Sequence, residues 1–587
     1  MTDKSIFTIA FVFLILGSGL APAQNLPPEV ISYADVVLYN GKILTANENF
    51  DIAQAVAIRD GRFLAVGDDQ RILSMAGPQT VRRDLEGQTV IPGFVATDAD
   101  NDFAAGNLYK ETLIKGRIFG TLRELRTKPQ MLAKVRETVA EATAGEKLFF
   151  RALETSESIY LTVEELDEVA PDNPVAVSID STNMVINSQM MKLLVERIPL
   201  EHRGIVKDPQ TGKPTGRIYG QATGVVGWDL RPWPTIDDTF LDEQREMMRG
   251  LNKKGITTII GHIQGFSLTV LNILWHNGEV TVRVRGAHDF LRQNPYAEAY
   301  LRRLGNLVDF GLGDDVLIIG AGLASVDGNH DTGSALTLEP KRSSGGYAFS
   351  SIGQNKWIGF GAHEGKWEDV EAKSQTEWEN IQAAVKYGWN TSSIHNVGDK
   401  ATEIWLDAIE TALNQDDLAL RPQFRPFGLD HNLFWSSTQD ERIKKLDMRR
   451  GLGKMFGGMA EAVEMYGERI HDAQPVTELI EKGMKVHIEG TRPFRGIHRY
   501  VTRKDDRGRI WGPDYAVDRK TALLMTTLWA ARFIDEDDRL GSIEPGKFAD
   551  LAVLGKDYLT VPVDEIPRIP VVTTIMGGRF VYDQNAN

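Results

Sequence analysis

Between two β-rich ends, the middle of this chain alternates short runs of β-branched residues with segments of helical spacing. Residues 255–260, 280–284 and 316–319 are such runs, and residues 389–395 form a further one that ends in His395. Strands that alternate with helices build parallel sheets, because each helix returns the chain to the end at which the next strand starts. With 587 residues available, the pattern predicts an α/β fold based on a large parallel, TIM-like barrel with accessory modules.

The two ends of the chain carry turn signals that are typical of β-hairpins. Asn40-Gly41 and Asp60-Gly61 separate apolar runs near the start, and Gly577-Gly578 does so near the end. Asn-Gly and Asp-Gly pairs suit the left-handed backbone conformations of tight hairpin turns. We therefore expect both ends to combine into one small β-sandwich module.

These patterns divide the chain into four parts. Residues 1–23 are expected to be a signal peptide, 24–90 the first part of the β-module, 91–535 the barrel and 536–587 the second part of the β-module. A stretch at about 105–230 fits the barrel alternation poorly and contains several Gly and Pro turns. We interpret this stretch as an inserted α/β segment.

The first residues have the pattern of a secretory signal. Met1–Lys4 is polar, Ile6–Leu16 is mostly apolar, and Ala21-Pro22-Ala23 fits the small-x-small cleavage pattern. The apolar run has about half the length that a membrane-spanning helix needs, so cleavage before Gln24 is preferred to a retained anchor. We expect a periplasmic or secreted protein. The chain has no cysteine, which excludes disulfides, thiolate metal ligands and a cysteine nucleophile.

Composition and motifs also exclude several classes of partner. The formal net charge is −15, whereas nucleic acids and anionic membranes are bound by basic surfaces. The chain has neither a phosphate-binding glycine loop between a strand and a helix nor a Gly-x-Ser-x-Gly elbow. The predicted partner is a small-molecule substrate, with no nucleic acid and no membrane after signal cleavage. A second copy of the chain, in a homo-oligomer, is left open.

Four motifs are long enough to compare with known protein families. They are Val90–Phe94, His395–Ala401, Asp430-His431 and Gly541–Leu551, and Asp180 with Asn187-Ser188 adds a fifth feature. Together they resemble the amidohydrolase superfamily, in the branch called amidohydrolase family 3. The resemblance implies a metal-dependent hydrolase with a (β/α)8 barrel and a β-module made from both chain ends. It also implies that His395 and His431 are the two downstream metal ligands.

Other positions depart from the pattern of that family. Where the family has His-x-His at the end of the first barrel strand, this chain has Asp98 and Asp100, and Arg492 replaces the strand-eight aspartate. Alternation along a strand turns Asp98 and Asp100 to the same face. Aspartate can replace histidine as a ligand, so Asp98, Asp100, His395 and His431 are the predicted ligands of a single Zn, Mn or Fe ion.

Arg492 has two interpretations. Its guanidinium is permanently charged, and placing it beside a metal cation is costly in a partly dehydrated pocket. In a metal site it would stabilise the substrate or a developing oxyanion. Without metal it would pair with Asp98 or Asp100 and bind an anionic group, with a histidine as acid or base. Arg492, Asp100 and His395 are therefore the catalytic candidates.

Two further histidines follow predicted strands. His262 and His288 stand where a parallel barrel carries its active-site side chains, at the carboxyl ends of strands. We expect both to line the substrate pocket together with Arg492.

The resemblance implies hydrolysis of a C–N bond in an amide-type group of a small organic molecule, with one divalent metal as cofactor. Two alternatives remain open. The first is a metal-independent lyase, hydratase or isomerase that uses His395 or His431 with Asp98 or Asp100 as acid and base. The second is a non-catalytic binding protein for small molecules on the same scaffold.

Overall fold

The computed structural model describes residues 32–585 except for the stretches 100–118, 123–124, 126, 152–160, 179–182, 203, 220, 231–235, 264, 289–297, 300, 303–311, 322–326, 328–329, 331–334, 340–374, 390–393, 415–426 and 454–455. The expected signal peptide lies outside these described residues. Within them, no helix has both the length and the apolar character needed to cross a bilayer.

The N-terminal part of the chain is rich in short strands. Its elements are β1 (Ala34–Tyr39), β2 (Lys42–Leu44), β3 (Ile52–Ala53), β4 (Ala55–Arg59), β5 (Arg62–Gly67), α1 (Asp69–Leu73), β6 (Ala76–Asp84), β7 (Thr89–Pro92) and β8 (Phe94–Ala96). Four of them form a sheet in the order β5-β4-β1-β6. Strand β8 instead starts a series of parallel strands.

Of the two hairpins predicted near the start, one is confirmed and one is wrong. Asp60 and Gly61 have φ values of 52° and 74° and join β4 to the antiparallel β5. Strands β1 and β2, on either side of Asn40-Gly41, belong to different sheets. A Cβ on Gly41 would lie 2.4 Å from Cδ1 of Leu85. This glycine is therefore explained by close packing and not by a hairpin turn.

The stretch interpreted as an insertion contains a sheet of its own. Its elements are β9 (Phe119–Thr121), α2 (Lys128–Glu141), β10 (Leu148–Arg151), α3 (Val163–Val169), β11 (Val175–Ser178), β12 (Asn183–Ile186), α4 (Ser188–Val195), β13 (Ile205–Lys207), β14 (Pro214–Tyr219), α5 (Gln221–Gly224) and a π-helical turn at Val225–Asp229. The strand order is β13-β14-β12-β11-β10-β9. Thr127 and Thr162 start α2 and α3 with capping boxes, which satisfy the first free amides of each helix.

Parallel strands and helices follow in alternation. The elements up to the last parallel strand are α6 (Asp238–Asn252), β15 (Ile256–Ile263), α7 (Gly265–His276), β16 (Arg283–His288), β17 (Leu312–Gly313), β18 (Leu317–Ala321), α8 (Gln375–Lys386), β19 (Ile394–Asn396), α9 (Asp399–Leu413), β20 (Gly428–His431), a 3-10 turn at Ser437–Gln439, α10 (Asp440–Lys445), β21 (Arg449–Leu452), α11 (Met459–Tyr466), a 3-10 turn at Gly467–Asp472, α12 (Val476–Glu481) and β22 (Val486–Ile488). Strands β8, β15, β16 and β18 are parallel neighbours, and so are β19, β20, β21 and β22. The predicted parallel strands are confirmed, with boundaries shifted by a few residues.

The C-terminal part returns to the N-terminal strands. Its elements are α13 (Pro493–Thr502), a 3-10 turn at Pro513–Tyr515, α14 (Arg519–Leu524), α15 (Leu528–Phe533), β23 (Leu551–Leu554), a 3-10 turn at Val563–Arg568, β24 (Val571–Met576) and β25 (Arg579–Asp583). Gly577 and Gly578, with φ values of 54° and 74°, form the predicted turn between β24 and β25. One sheet, in the order β25-β24-β23-β7-β2-β3, therefore contains strands from both chain ends.

The parallel strands bring distant parts of the chain to one edge. The amide of Gly490, just beyond β22, donates a hydrogen bond to the carbonyl oxygen of Thr97, just beyond β8, at 2.9 Å. The amide of Asn432 donates to the carbonyl oxygen of Asn396 at 2.8 Å and links the ends of β20 and β19. Side chains that follow β22 and β8 are consequently neighbours, although hundreds of residues separate the two strands, and so are those that follow β20 and β19.

Candidate active site

The backbone is strained where two of these strands end. Asp98 has a φ of 52°, His431 a φ of 71° and Asn432 a φ of 31°. Residues with a Cβ rarely adopt this left-handed region, which costs free energy that surrounding contacts must offset. Such strain often marks a functional site.

His431 is bound twice by one carboxylate. The backbone amide of His431 donates to Oε1 of Glu489 at 2.6 Å, and Nδ1 of its ring lies 2.8 Å from Oε2 of the same residue. The His431 and Glu489 side chains are only 3% and 1% exposed. With a carboxylate oxygen against Nδ1, the ring proton is placed on that nitrogen, and Nε2 is then the nitrogen that carries the lone pair.

His395 has a carboxylate partner of its own. Its Nδ1 lies 3.3 Å from Oδ1 of Asp327, whose side chain is completely buried. Asp327 also accepts hydrogen bonds from the backbone amides of Val397, Gly398 and Leu336. These bonds fix the carboxylate, and the carboxylate in turn orients the imidazole. The rings of His395 and His431 meet edge to face, with 4.8 Å between their centroids.

Three side chains lie close enough together to hold a metal ion. Asp98, His431 and Glu489 each offer a ligand atom, and these atoms all lie within 4.8 Å of one another. Carboxylate oxygens and imidazole nitrogens are a donor set that Zn, Mn and Fe accept. Histidine ligands in metal sites usually have their second nitrogen bonded to a carboxylate, which is the arrangement of both His431 and His395. The residues therefore fit a divalent metal.

A third histidine contacts the residue that precedes Asp98. Nε2 of His487, in β22, is 2.9 Å from Oγ1 of Thr97, the residue before Asp98. The His487 ring also contacts Phe533, with 4.2 Å between the ring centroids. Complete burial lowers the pKa of His487 to about 3, so the imidazole is neutral at physiological pH.

The lowered pKa of His487 predicts that the protein loses stability in acid. His487 titrates near pH 6.5 when unfolded and near 3 in the fold. Its contribution to stability is complete above about pH 6.5 and declines by about 1.4 kcal/mol per pH unit as the pH falls toward 3. We expect His487→Gln to flatten the dependence of the unfolding free energy on pH between about 6 and 4. Urea denaturation at several pH values measures this, and an unchanged slope in the variant would exclude His487 as the source.

The structure brings some of the sequence-predicted site residues together. Asp98 and His431 belong to one cluster, and His395 contacts His431. Asp100 lies outside the described residues, and so do the side chains of His262 and His288. The predicted catalytic and substrate-binding residue Arg492 stands at the position before α13, with an exposed side chain.

Sequence reasoning did not select two carboxylates that the structure places at the site. Glu489 directly follows the short strand β22, and Asp98 stands two residues after the end of β8. An acidic residue at the carboxyl end of a parallel strand is a signal that could have identified it. Asp327 carried no comparable signal, because its role depends on contacts with residues about 70 positions later in the chain.

The chain is similar to known proteins over most of its length. Residues 82–582 match the sequence profile of the amidohydrolase family. The chain is 25% identical to an N-substituted formamide deformylase of Arthrobacter pascens, over 94% of this chain and 99% of that protein. It is 24% identical to Protein LONG AFTER FAR-RED 3 of Arabidopsis thaliana, over 98% of both chains.

Solved structures share the fold. An uncharacterized metal-dependent hydrolase from Pyrococcus furiosus superimposes with a TM-score of 0.56 at 20% identity, over 89% of this chain and 100% of that chain. A second one, from Pyrococcus horikoshii OT3, gives 0.57 at 19% identity, over 90% and 99%. At these identities the superpositions establish a common α/β fold and nothing about the reaction.

Proposed function

Because the chain belongs to the amidohydrolase family, a family of hydrolase-type enzymes, we propose that it hydrolyses an amide-type C–N bond of a small organic molecule. The proposed centre holds one Zn, Mn or Fe ion between Asp98, His431 and His395, with Asp100 as a further ligand implied by the sequence. The observation that carries the proposal is the cluster at the strand ends, in which Asp98 lies beside a buried histidine whose Nδ1 is held by a carboxylate.

Each residue of the centre has a distinct part in this reaction. A bound divalent metal lowers the pKa of water and polarises a carbonyl group. Asp98 is partly exposed, and both oxygens of Glu489 are engaged with His431. We assign Asp98 to take the proton from the attacking water and to pass it to the departing nitrogen. Asp327 and Glu489 keep the two imidazoles in place.

The test combines metal analysis with a substrate panel. We expect about one metal ion per chain after purification without chelator, and hydrolysis that chelation abolishes and one of the three ions restores. N-substituted formamides are the first substrates to try, because a relative of similar length is named as their deformylase. A protein that takes up none of the three ions and hydrolyses no amide in the panel would contradict the proposal.

Single substitutions locate the centre. We expect Asp98→Asn and His431→Gln to lower kcat/KM by more than about 100-fold, which exceeds the usual effect of groups outside the ligand sphere. Both should also lower the metal content. Glu441→Gln is the matched control, since that side chain is 92% exposed. Equal metal content and activity in all three variants would rule out the assigned ligands.

A second candidate function is favoured by the two histidine–carboxylate pairs. Nδ1 of His431 and Nδ1 of His395 each contact a buried carboxylate, and this pairing also orients a general acid or base. A metal-independent lyase, hydratase or isomerase could use the same pairs. Turnover that survives exhaustive chelation would support this candidate, and its loss on chelation would exclude it.

We also propose that the two groups of parallel strands close into a (β/α)8 barrel and that the sheets from the two chain ends form a β-sandwich. Support for closure comes from the hydrogen bond between Gly490 and Thr97, which joins the ends of β22 and β8. The solved structure of the whole chain would test both points.

Export is a separate proposal that depends on the leader-like first residues. We expect the mature protein to start at Gln24 and to be recovered from the periplasm or the medium. N-terminal sequencing of the protein from its natural host tests this, and a mature protein that retains Met1 would contradict it.

A further inference from the structure

Glu489 makes two contacts with the same residue. Its Oε1 accepts from the backbone amide of His431, and its Oε2 lies against Nδ1 of the same histidine. A carboxylate used in this way holds both the backbone and the ring of its partner. Both oxygens of Glu489 are therefore engaged with His431, and the Glu489 side chain is 1% exposed.

Two glycines make room for this carboxylate. A Cβ on Gly451 would lie 2.1 Å from Oε1 of Glu489, and a Cβ on Gly453 would lie 1.7 Å from Oε2. Neither glycine has a positive φ, so the backbone conformation does not require glycine there. The requirement is space: any side chain at either position would occupy the place of a Glu489 oxygen.

The same carboxylate stabilises strained backbone. His431 and Asn432 both have positive φ values. The His431 amide is bonded to Glu489, and the His431 carbonyl oxygen accepts from Nε2 of the buried Gln474 at 2.6 Å. The backbone N–H and the backbone carbonyl of His431 therefore both have hydrogen-bond partners, in a conformation that few residues with a Cβ adopt.

From these contacts we infer that Glu489 is a positioning residue and not a metal ligand: it keeps the proton of His431 on Nδ1 and presents Nε2 to the metal. The inference rests on the proposed metal centre for its function. It assigns a role to a carboxylate whose oxygen would otherwise count among the possible ligands. The carboxylate–histidine–metal order is a general way to fix the tautomer of a ligand histidine.

The first test needs no metal. We would label the histidines with ¹⁵N, record the ring nitrogens of the metal-free full chain by NMR, and assign His431 by the signal that His431→Gln loses. We expect the Nδ1–H tautomer in the native protein. Glu489→Gln can offer only one oxygen, and an amide NH2 facing Nδ1 would move the ring proton to Nε2. A native His431 protonated on Nε2 would overturn the inference.

The second test uses zinc affinity measured by competition with a chelator. We expect Glu489→Gln to weaken zinc binding by about 10- to 100-fold, the usual effect of losing a partner of a ligand histidine. Gly453→Ala, which displaces the carboxylate, should do the same. The comparison variant Asp98→Asn should weaken zinc binding and leave the His431 tautomer unchanged.

These outcomes separate the inference from the proposed function. A native chain that binds none of zinc, manganese and iron would contradict the metal centre, while the tautomer of His431 would still decide the role of Glu489. A Glu489→Gln variant with the native tautomer and native zinc affinity would overturn the positioning role.

Discussion

Replacing Asp327 by alanine is expected to lower the free energy of unfolding by about 3–9 kcal/mol, because the substitution leaves three buried amides without an acceptor at about 1–3 kcal/mol each. The amides belong to Leu336, Val397 and Gly398, with donor–acceptor distances between 2.7 and 3.3 Å. The imidazole of His395 loses its partner as well. Urea denaturation of the metal-free protein measures the loss.

The variant Asp327→Asn distinguishes the effect of Asp327 on stability from its effect on the metal site. Asparagine retains one acceptor oxygen, so we expect it to recover part of the lost stability, while its NH2 group cannot accept a proton from the ring of His395. Metal affinity should therefore fall in both variants. A loss below about 1 kcal/mol in Asp327→Ala would show that water or a neighbouring group replaces the carboxylate.

Much of the fold could be predicted because its signals are local. Alternating runs such as residues 255–260 became parallel strands, and the turns at Asp60-Gly61 and Gly577-Gly578 became hairpins. The same reasoning failed at Asn40-Gly41, because Gly41 is explained by close packing against Leu85, which is distant in sequence. The residues next to a glycine cannot show whether it is needed for a turn conformation or for close packing against another part of the chain.

The candidate site was predictable only in part. His395 and His431 stand in motifs at strand ends, and Asp98 follows the first parallel strand, so sequence reasoning selected all three. Glu489 acts through His431, 58 positions earlier, and its place depends on Gly451 and Gly453 in a third segment. Contacts of this kind have no period or spacing along the chain, and they become visible only in the folded structure.

The long motif Gly541–Leu551 contains residues that join the C-terminal part to the parallel strands. Arg283 of β16 binds both oxygens of Asp550, at 2.8 and 3.0 Å, and its guanidinium lies over the ring of Phe548 at 3.9 Å. The amide of Gly577 donates to the same carboxylate at 2.8 Å. The motif therefore has a structural explanation that does not involve the metal centre.

We accordingly expect Asp550→Ala to lower the free energy of unfolding by about 3–5 kcal/mol, the usual result of leaving one charge of a buried ion pair without its partner. The Arg283 and Asp550 side chains are 3% and 5% exposed. Asp315→Ala is the matched control, because that aspartate also pairs with arginines but is 51% exposed, so the expected loss is about 0–1 kcal/mol. Metal content should be native in both variants. Equal destabilisation by the two substitutions would contradict the role of the buried pair, and loss of metal in Asp550→Ala alone would show that this junction also shapes the site.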